Sequence, residues 1–256
     1  MHASPAIHVS LLYGFLLVLT RVSGIFVFLP LPGLKAGPDV AKITMALALT
    51  FALFAKWPTP NPPSGVGELT GWVLIEAGIG TATGLAVAFI IEGISIGAQA
   101  VTTQAGFGFA STVDPTTEAD STVLIMLAQL IGAMLFFAMG LDRQLLTILS
   151  KSLEVHPPGS FALSRSSAEM LVGLGSGVFS TGIRLALPVM TLLFLIEISI
   201  GLFGRLNAQL HLMAVSFPIK ILAATSALSV LVFLIPKLYQ QSANASFSAL
   251  ARLLGL

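Results

Sequence analysis

Two apolar runs constrain this chain more than any other feature, because each is longer than one membrane crossing. Residues 69–105 form a run of 37 with only two charged side chains, and residues 170–204 form a run of 35 with two charges and one proline. A helix rises ~1.5 Å per residue, so either run would reach roughly 50 Å against a hydrocarbon core of about 30 Å. The sequence therefore predicts that each run bends or is covered by something besides lipid.

The composition is that of a membrane protein. Of the 256 residues, 55% are hydrophobic and 9% are charged, whereas a soluble domain carries about 25% charged residues. The chain contains no Cys, which excludes a disulfide framework and a thiolate metal site. A net charge of +1 with scattered Lys and Arg argues against nucleic acid as a partner.

Hydropathy predicts an all-α protein with several apolar helices. Their predicted bounds are residues 7–29, 43–55, 69–105, 122–141, 170–204 and 221–235. Only the first and the fourth have the length of an ordinary span, and the second, between Lys42 and Lys56, is short for one. Polar connectors are expected at residues 57–68, 106–121 and 142–169. The last of these contains Pro157 and Pro158 and is the best candidate for an internal boundary.

Several charged side chains fall within or at the end of the apolar runs. They are Arg21, Glu76, Glu92, Arg184, Glu197 and Arg205. A lone charge at mid-bilayer costs at least ~2.5 kcal/mol, so Arg21 requires a partner or water. We expect Glu92 to be that partner, ahead of Glu76 and Glu197. The pair is either a buried structural one or a charge that faces an aqueous pathway.

Small residues recur at four-residue spacing, which lets helix backbones approach each other closely. The sets are Gly80, Gly84 and Ala88, then Gly93 and Gly97, then Gly173 and Gly177. This spacing suits packing within the chain and packing between subunits equally well.

Catalytic signatures are nearly absent, so we expect neither an enzyme nor a metal or cofactor site. Gly93, Ser95 and Gly97 spell the nucleophile-elbow pattern. That pattern requires a strand-turn-helix context, whereas these residues lie in an apolar helical run. The His residues lack metal-ligand spacing, and the sequence has no phosphate-binding glycine loop.

The connector at residues 106–121 joins an apolar, glycine-rich first half to a second half that restarts a helix. Its first residues are Gly106, Phe107, Gly108 and Phe109, and its second half begins at Asp114 and Pro115. Asp before Pro is good capping chemistry for a helix N-terminus. The first half is either part of an ordinary connector or a seal, because aromatic side chains exclude water and can be displaced.

A set of residues in fixed order carries a resemblance to a known family. The residues are Arg21, Gly24, Pro30, Gly33, Pro38 and Lys42, then Glu92, Gly97, Gly106, Phe109, Asp114 and Pro115, and finally Pro188, Glu197, Arg205, Gln209, Pro218 and Lys220. In this order they resemble the R subunit of the flagellar and virulence type III secretion export gate, the FliR family. The resemblance covers nearly the whole chain. It departs from the family at residues 207–211, where the usual Pro and Asn are missing.

The resemblance implies an integral membrane-type protein of bent helical hairpins, packed with P and Q subunits into a helical assembly that forms an export channel. Residues 1–150 would be the P-like part and residues 160–256 the Q-like part. A plug would close the pore, and the residues that fall at its positions are Gly106, Phe107, Gly108, Phe109, Thr112 and Asp114. Thr112 stands where the family commonly has an aromatic residue.

The resemblance also implies a location and further partners. It implies the bacterial inner membrane and the flagellar basal body, unfolded exported proteins as cargo, and contacts with lipid and with the B-type switch subunit of the export apparatus. It implies no cofactor. A flagellar system is favoured over a virulence system only because it is the commoner setting. The alternative function is a small-solute or ion-coupled transporter, which should work without partner proteins.

Overall fold

The computed structural model describes residues 6–29, 39–107, 122–158, 165–206 and 212–256, and all regular structure in these ranges is helical. The α-helices are α1 (Ala6–Phe28), α2 (Asp39–Ala52), α3 (Val66–Ala105), α4 (Thr122–Ala138), α5 (Leu141–Val155), α6 (Arg165–Leu206), α7 (Leu212–Leu231) and α8 (Ile235–Leu253). A short 3₁₀ helix, Phe54–Lys56, follows α2. The predicted all-α fold is confirmed over the described residues.

Three helices in the described ranges are long and apolar enough to cross a membrane. These segments are Val9–Phe28, Val66–Ala105 and Val172–Leu206. The fourth predicted span is shorter than expected, because α4 has only 17 residues. The chain bends by 64° between α4 and α5. Gly140, which has a φ of 67° that favours glycine, provides the turn.

Each of the two long apolar runs forms one continuous helix, α3 with 40 residues and α6 with 42. The sequence analysis left open a bend or a covering other than lipid for each run, and the structure keeps both runs helical throughout. The physical reason is that a helix satisfies its own backbone groups in apolar surroundings, where an unpaired group is costly. α3 contains no proline, and α6 continues through Pro188.

The start of α3 is fixed by polar contacts after the proline-rich connector. The backbone N–H and the hydroxyl of Ser64 both donate to Glu68 Oε2, each at 2.7 Å. An acidic side chain in the first turn also complements the positive end of the helix dipole. The connector therefore ends where the sequence supplies a capping pair.

Helix α5 lies in the region that the sequence analysis treated as a polar connector. Its buried residues include Leu141, Leu145, Leu149 and Leu153. This four-residue spacing places the leucines on one face of the helix. The other residues are mostly polar, so the average hydropathy of the segment hides an amphipathic helix.

The chain forms two compact units. Unit 1 comprises Met1–Phe89, Phe136–Gly175 and Ala243–Leu256, and unit 2 comprises Ile90–Leu135 and Ser176–Ser242. The core of unit 1 includes Leu17, Val22, Leu149 and Leu250, each at most 2% exposed. The core of unit 2 includes Val101, Ala105, Ala186, Val189, Leu193 and Ala224. The division into P-like and Q-like parts concerns likeness to other subunits and stays a prediction.

Candidate functional site

Arg21, about two thirds of the way along α1, lies fully inside unit 1. Arg21 and Glu76 of α3 are both 0% exposed, and Arg21 Nε donates to Glu76 Oε2 at 2.5 Å. The expectation that Glu92 pairs with Arg21 is therefore wrong. Glu92 lies 16 residues beyond Glu76 on the same helix, which is roughly 24 Å along the axis. Of the two interpretations left open, burial in the chain favours the structural ion pair.

The rest of the Arg21 guanidinium binds the C-terminal end of α5. Nη1 donates to the Ser152 carbonyl at 2.9 Å and to Ser152 Oγ at 3.1 Å, and Nη2 donates to the His156 carbonyl at 3.0 Å. The last carbonyls of a helix form the negative end of its dipole, and the Ser152 carbonyl accepts Arg21 in addition to the backbone N–H of His156 at 3.0 Å. Arg21 therefore caps α5 with its charge while Glu76 neutralises that charge.

Glycines bring α1 and α3 close enough for this contact. A Cβ added at Gly24 would lie 2.9 Å from the Thr81 nitrogen, and one added at Gly84 would lie 2.5 Å from the Ile25 carbonyl oxygen. Gly80 meets the Arg21 backbone in the same way. Because Glu76 is one turn before Gly80 on α3, the crossing sets the carboxylate beside the guanidinium.

His156, whose carbonyl binds Arg21, also contacts the C-terminal end of the chain. A ring nitrogen of His156, Nε2, lies 2.9 Å from the carbonyl oxygen of Leu254. The backbone carbonyl of His156 thus accepts a hydrogen bond from Arg21, and its side chain contacts Leu254, the residue after α8. We refer to Arg21, Glu76, Ser152 and His156 as the arginine node.

A second polar cluster lies in unit 2. Glu197 of α6 accepts a hydrogen bond from Lys220 Nζ of α7 at 2.8 Å and another from Gln104 Nε2 of α3 at 3.0 Å. The Lys220 side chain is 10% exposed and that of Glu197 50%. The carboxylate therefore joins three helices, and its contact with α3 is one residue before that helix ends.

The start of the 106–121 connector is anchored on unit 2. Gly106 has a φ of 86°, in the left-handed region that favours glycine, and a Cβ added there would lie 2.7 Å from Phe217 Cδ1. Phe107 is half-buried and packs against the core of unit 2. Residues 108–121 lie outside the described residues. Phe107 is thus a packed anchor in this structure.

The remaining predicted residues fall into three groups. Arg184 and Arg205 are exposed on α6, and Glu92 is half-buried. Pro188 and Pro218 lie inside α6 and α7. The residues outside the described ranges are Pro30, Gly33, Pro38, Gly108, Phe109, Thr112, Asp114, Pro115 and Gln209.

The small-residue pairs differ in what faces them. A Cβ at Gly93 would lie 3.1 Å from Thr181 Cβ, and one at Gly97 would lie 2.7 Å from Leu185 Cδ2, so this pair packs α3 on α6 within the chain. At Gly177, and likewise at Gly173, an added Cβ would meet no atom of the described residues within 4 Å. Packing within the chain thus accounts for the pairs on α3 but not for the pair on α6.

The sequence analysis missed Ser152 and His156. Each of them accepts from Arg21 through its backbone carbonyl, which no residue type encodes; the Ser152 hydroxyl accepts as well. The leucine spacing of α5 was the one available signal, because it predicts a helix whose C-terminal end must lie near His156.

Apolar helices of spanning length together with a fully buried ion pair define an all-α membrane protein. The chain belongs to the family of bacterial export proteins, family 1, whose family model matches residues 12–246.

Named relatives are consistent with this assignment. The chain is 26% identical over 234 residues to the flagellar biosynthetic protein FliR of Escherichia coli K12, covering 91% of this chain and 89% of the relative. It is 26% identical to FliR of Bacillus subtilis 168, covering 83% of each. It is also 25% identical to the surface presentation of antigens protein SpaR of Salmonella typhimurium LT2, covering 90% of this chain and 86% of the relative. Membership in an export family favours protein export over small-solute transport.

Proposed function

We propose that this chain is the R-type subunit of a flagellar type III export gate. With P-type and Q-type subunits it forms the channel that passes unfolded flagellar proteins across the bacterial inner membrane, at the flagellar basal body. The observation that carries this proposal is the family match over residues 12–246 together with relatives named flagellar biosynthetic protein over most of their length. The B-type switch subunit is a further proposed partner.

The exposed surface of α6 supports an assembled state. Only 22% of the most apolar part of α6 is buried within the chain, compared with 56% for α3. Large apolar side chains such as Phe179, Phe194 and Phe203 are each more than half exposed. Neighbouring subunits would cover apolar area of this kind beyond what lipid contacts.

We further propose that residues 106–114 plug the closed channel. The anchor at Gly106 and Phe107 supports a plug that is held at its start, because Phe107 packs on the core and Gly106 adopts a backbone conformation that few other residues tolerate. Glu197, bonded to Gln104, steadies the last turn of α3 just before this anchor.

Co-purification tests the assembly. The full-length chain, carrying an affinity tag and expressed with its P-type and Q-type partners, should retain both in detergent. Gly177→Leu should reduce that retention, since a Cβ at Gly177 would meet no described residue of the chain within 4 Å, which leaves this position available to a partner helix. Gly67→Leu, at another open position near the start of α3, is the matched control. A wild-type chain that purifies alone would contradict the proposed function.

Membrane leakage tests the plug. Deleting residues 108–112 in the assembled complex, with Phe107 kept in place, should raise the conductance of the membrane to small ions. Deleting five residues, 159–163, from the connector between α5 and α6 controls for the loss of chain length. Equal conductance in wild type and in the 108–112 deletion would rule out a plug in this segment.

A further inference from the structure

A cavity of about 310 Å³ lies between the end of α1 and the start of α2. Its described lining residues are Ser23, Phe26, Val27, Lys42, Ile43 and Ala46. This volume is at the lower end of the ~300–1,000 Å³ range of small-molecule pockets. Lys42 is the charged member of this lining, and it is a family-motif residue to which neither polar cluster assigns a role.

Lys42 differs from Lys56 and Lys220 in what it contacts. Lys56, at the other end of the α2 segment, donates to Ser150 Oγ and to Glu154 Oε1, and Lys220 pairs with Glu197. Lys42 Nζ forms no ion pair or hydrogen bond with any residue in the described ranges. A half-buried ammonium next to apolar side chains is electrostatically complementary to an anion.

The position of the cavity indicates what the anion belongs to. Ser23, Phe26 and Val27 lie in the last two turns of the candidate membrane span Val9–Phe28, which is the level where a span meets the headgroup region. The rim is apolar, because Val27 is 61% exposed and Ile43 58% exposed. A ligand that fits both features carries a negative group and an apolar chain, as an anionic phospholipid does.

We propose that the cavity between α1 and α2 binds an anionic phospholipid. Lys42 Nζ and the Ser23 hydroxyl bind the phosphate, and Phe26, Val27 and Ile43 contact the first part of an acyl chain. Lysine binds phosphate as a point charge and reaches the headgroup level along its own apolar stem.

A second cavity on the same helix pair provides an internal contrast. It measures about 480 Å³, and its described lining is Leu11, Leu12, Phe15, Phe51 and Trp57, with no charged side chain. An acyl chain in that cavity would be retained without regard to its headgroup. Selectivity for anionic lipid therefore reports on the Lys42 cavity.

Native mass spectrometry of the purified export complex tests the proposal. The complex is stripped of lipid, mixed with equal amounts of phosphatidylglycerol and phosphatidylcholine, and the lipids retained per copy of the chain are counted. Wild type should retain phosphatidylglycerol preferentially. Lys42→Gln should lower that retention about fivefold, the contribution of one lysine near an anionic surface. Lys42→Arg should keep it.

Lys151→Gln makes the same change in net charge at an exposed position and should retain as much phosphatidylglycerol as wild type. Ser23→Ala, which removes only the hydroxyl, should lower retention about twofold and remains informative if Lys42→Gln does not assemble. Equal retention of the two lipids by wild type, or unchanged phosphatidylglycerol on both Lys42→Gln and Ser23→Ala, would overturn the proposal. Loss of a protein subunit from Lys42→Gln with unchanged lipid would also overturn it, and would assign Lys42 to an acidic protein partner.

Discussion

Replacing Glu76 with Gln keeps the size of the side chain and removes the charge that neutralises Arg21. Both residues are 0% exposed in the chain, so the guanidinium would remain buried without its counter-charge. Breaking a buried pair from one side costs about 3–5 kcal/mol. At roughly 2–4 °C per kcal/mol for a chain of this size, the apparent melting temperature should fall by roughly 6–20 °C.

Thermal unfolding of the full-length chain in its purified complex measures this change. Glu154→Gln is the matched control, because Glu154 forms an ion pair with Lys56 on the surface of the chain. An exposed pair contributes about 0–1 kcal/mol. The control should therefore shift the melting temperature by at most about 4 °C, since its largest cost, about 1 kcal/mol, is one third of the smallest cost expected for Glu76→Gln.

Two double variants distinguish the two roles of Arg21, as the ion-pair partner of Glu76 and as the cap of α5. Arg21→Met with Glu76→Met removes both charges and leaves the His156 carbonyl without its donor, so it should cost only about 1–3 kcal/mol. The charge swap, Arg21→Glu with Glu76→Arg, would set a carboxylate against the carbonyls of Ser152 and His156 and should rescue nothing. A swap that restores wild-type stability would refute the role of Arg21 as a cap of α5.

Two further substitutions follow from close backbone contacts. Gly24→Ala should cost about 1–3 kcal/mol, because its Cβ would lie 2.9 Å from a backbone nitrogen of α3. Gly78→Ala, whose Cβ would meet no described residue within 4 Å, should be neutral or slightly stabilising. Equal melting temperatures for the two variants would contradict the close crossing of α1 and α3. Gly106→Ala should cost more than Gly140→Ala in unfolding experiments, since both have positive φ but only the first meets Phe217. Equal losses would mean that the phenylalanine simply moves aside.

The helices were largely predictable from the sequence, since long apolar runs encode them directly. Hydropathy predicted α1, α3 and α6 to within a few residues at most ends. It missed α5 and α8, because a helix with one apolar face has a low average hydropathy. It left open whether each long run bends or is covered by something besides lipid, because run length alone does not distinguish the two.

The arginine node was predictable only in part. The cost of a buried charge requires that Arg21 has a partner, and that requirement is satisfied by Glu76. The choice between Glu76 and Glu92 depends on where α1 crosses α3. Gly24 and Gly80 set that crossing point, because the two helices approach most closely there, and a sequence does not show which glycines meet. The plug residues stay a prediction, because residues 108–121 lie outside the described residues.

The residues of the arginine node are synthesised at widely separated times. Arg21 precedes Glu76 by 55 residues and Ser152 by 131 residues. At roughly 5–20 residues per second, the counter-charge follows about 3–11 s after the arginine, and the end of α5 about 7–26 s after it. During this interval the nascent first helix carries a charge that hydrocarbon disfavours. The first helix must therefore wait near water or within the insertion machinery until the middle of the chain has been made.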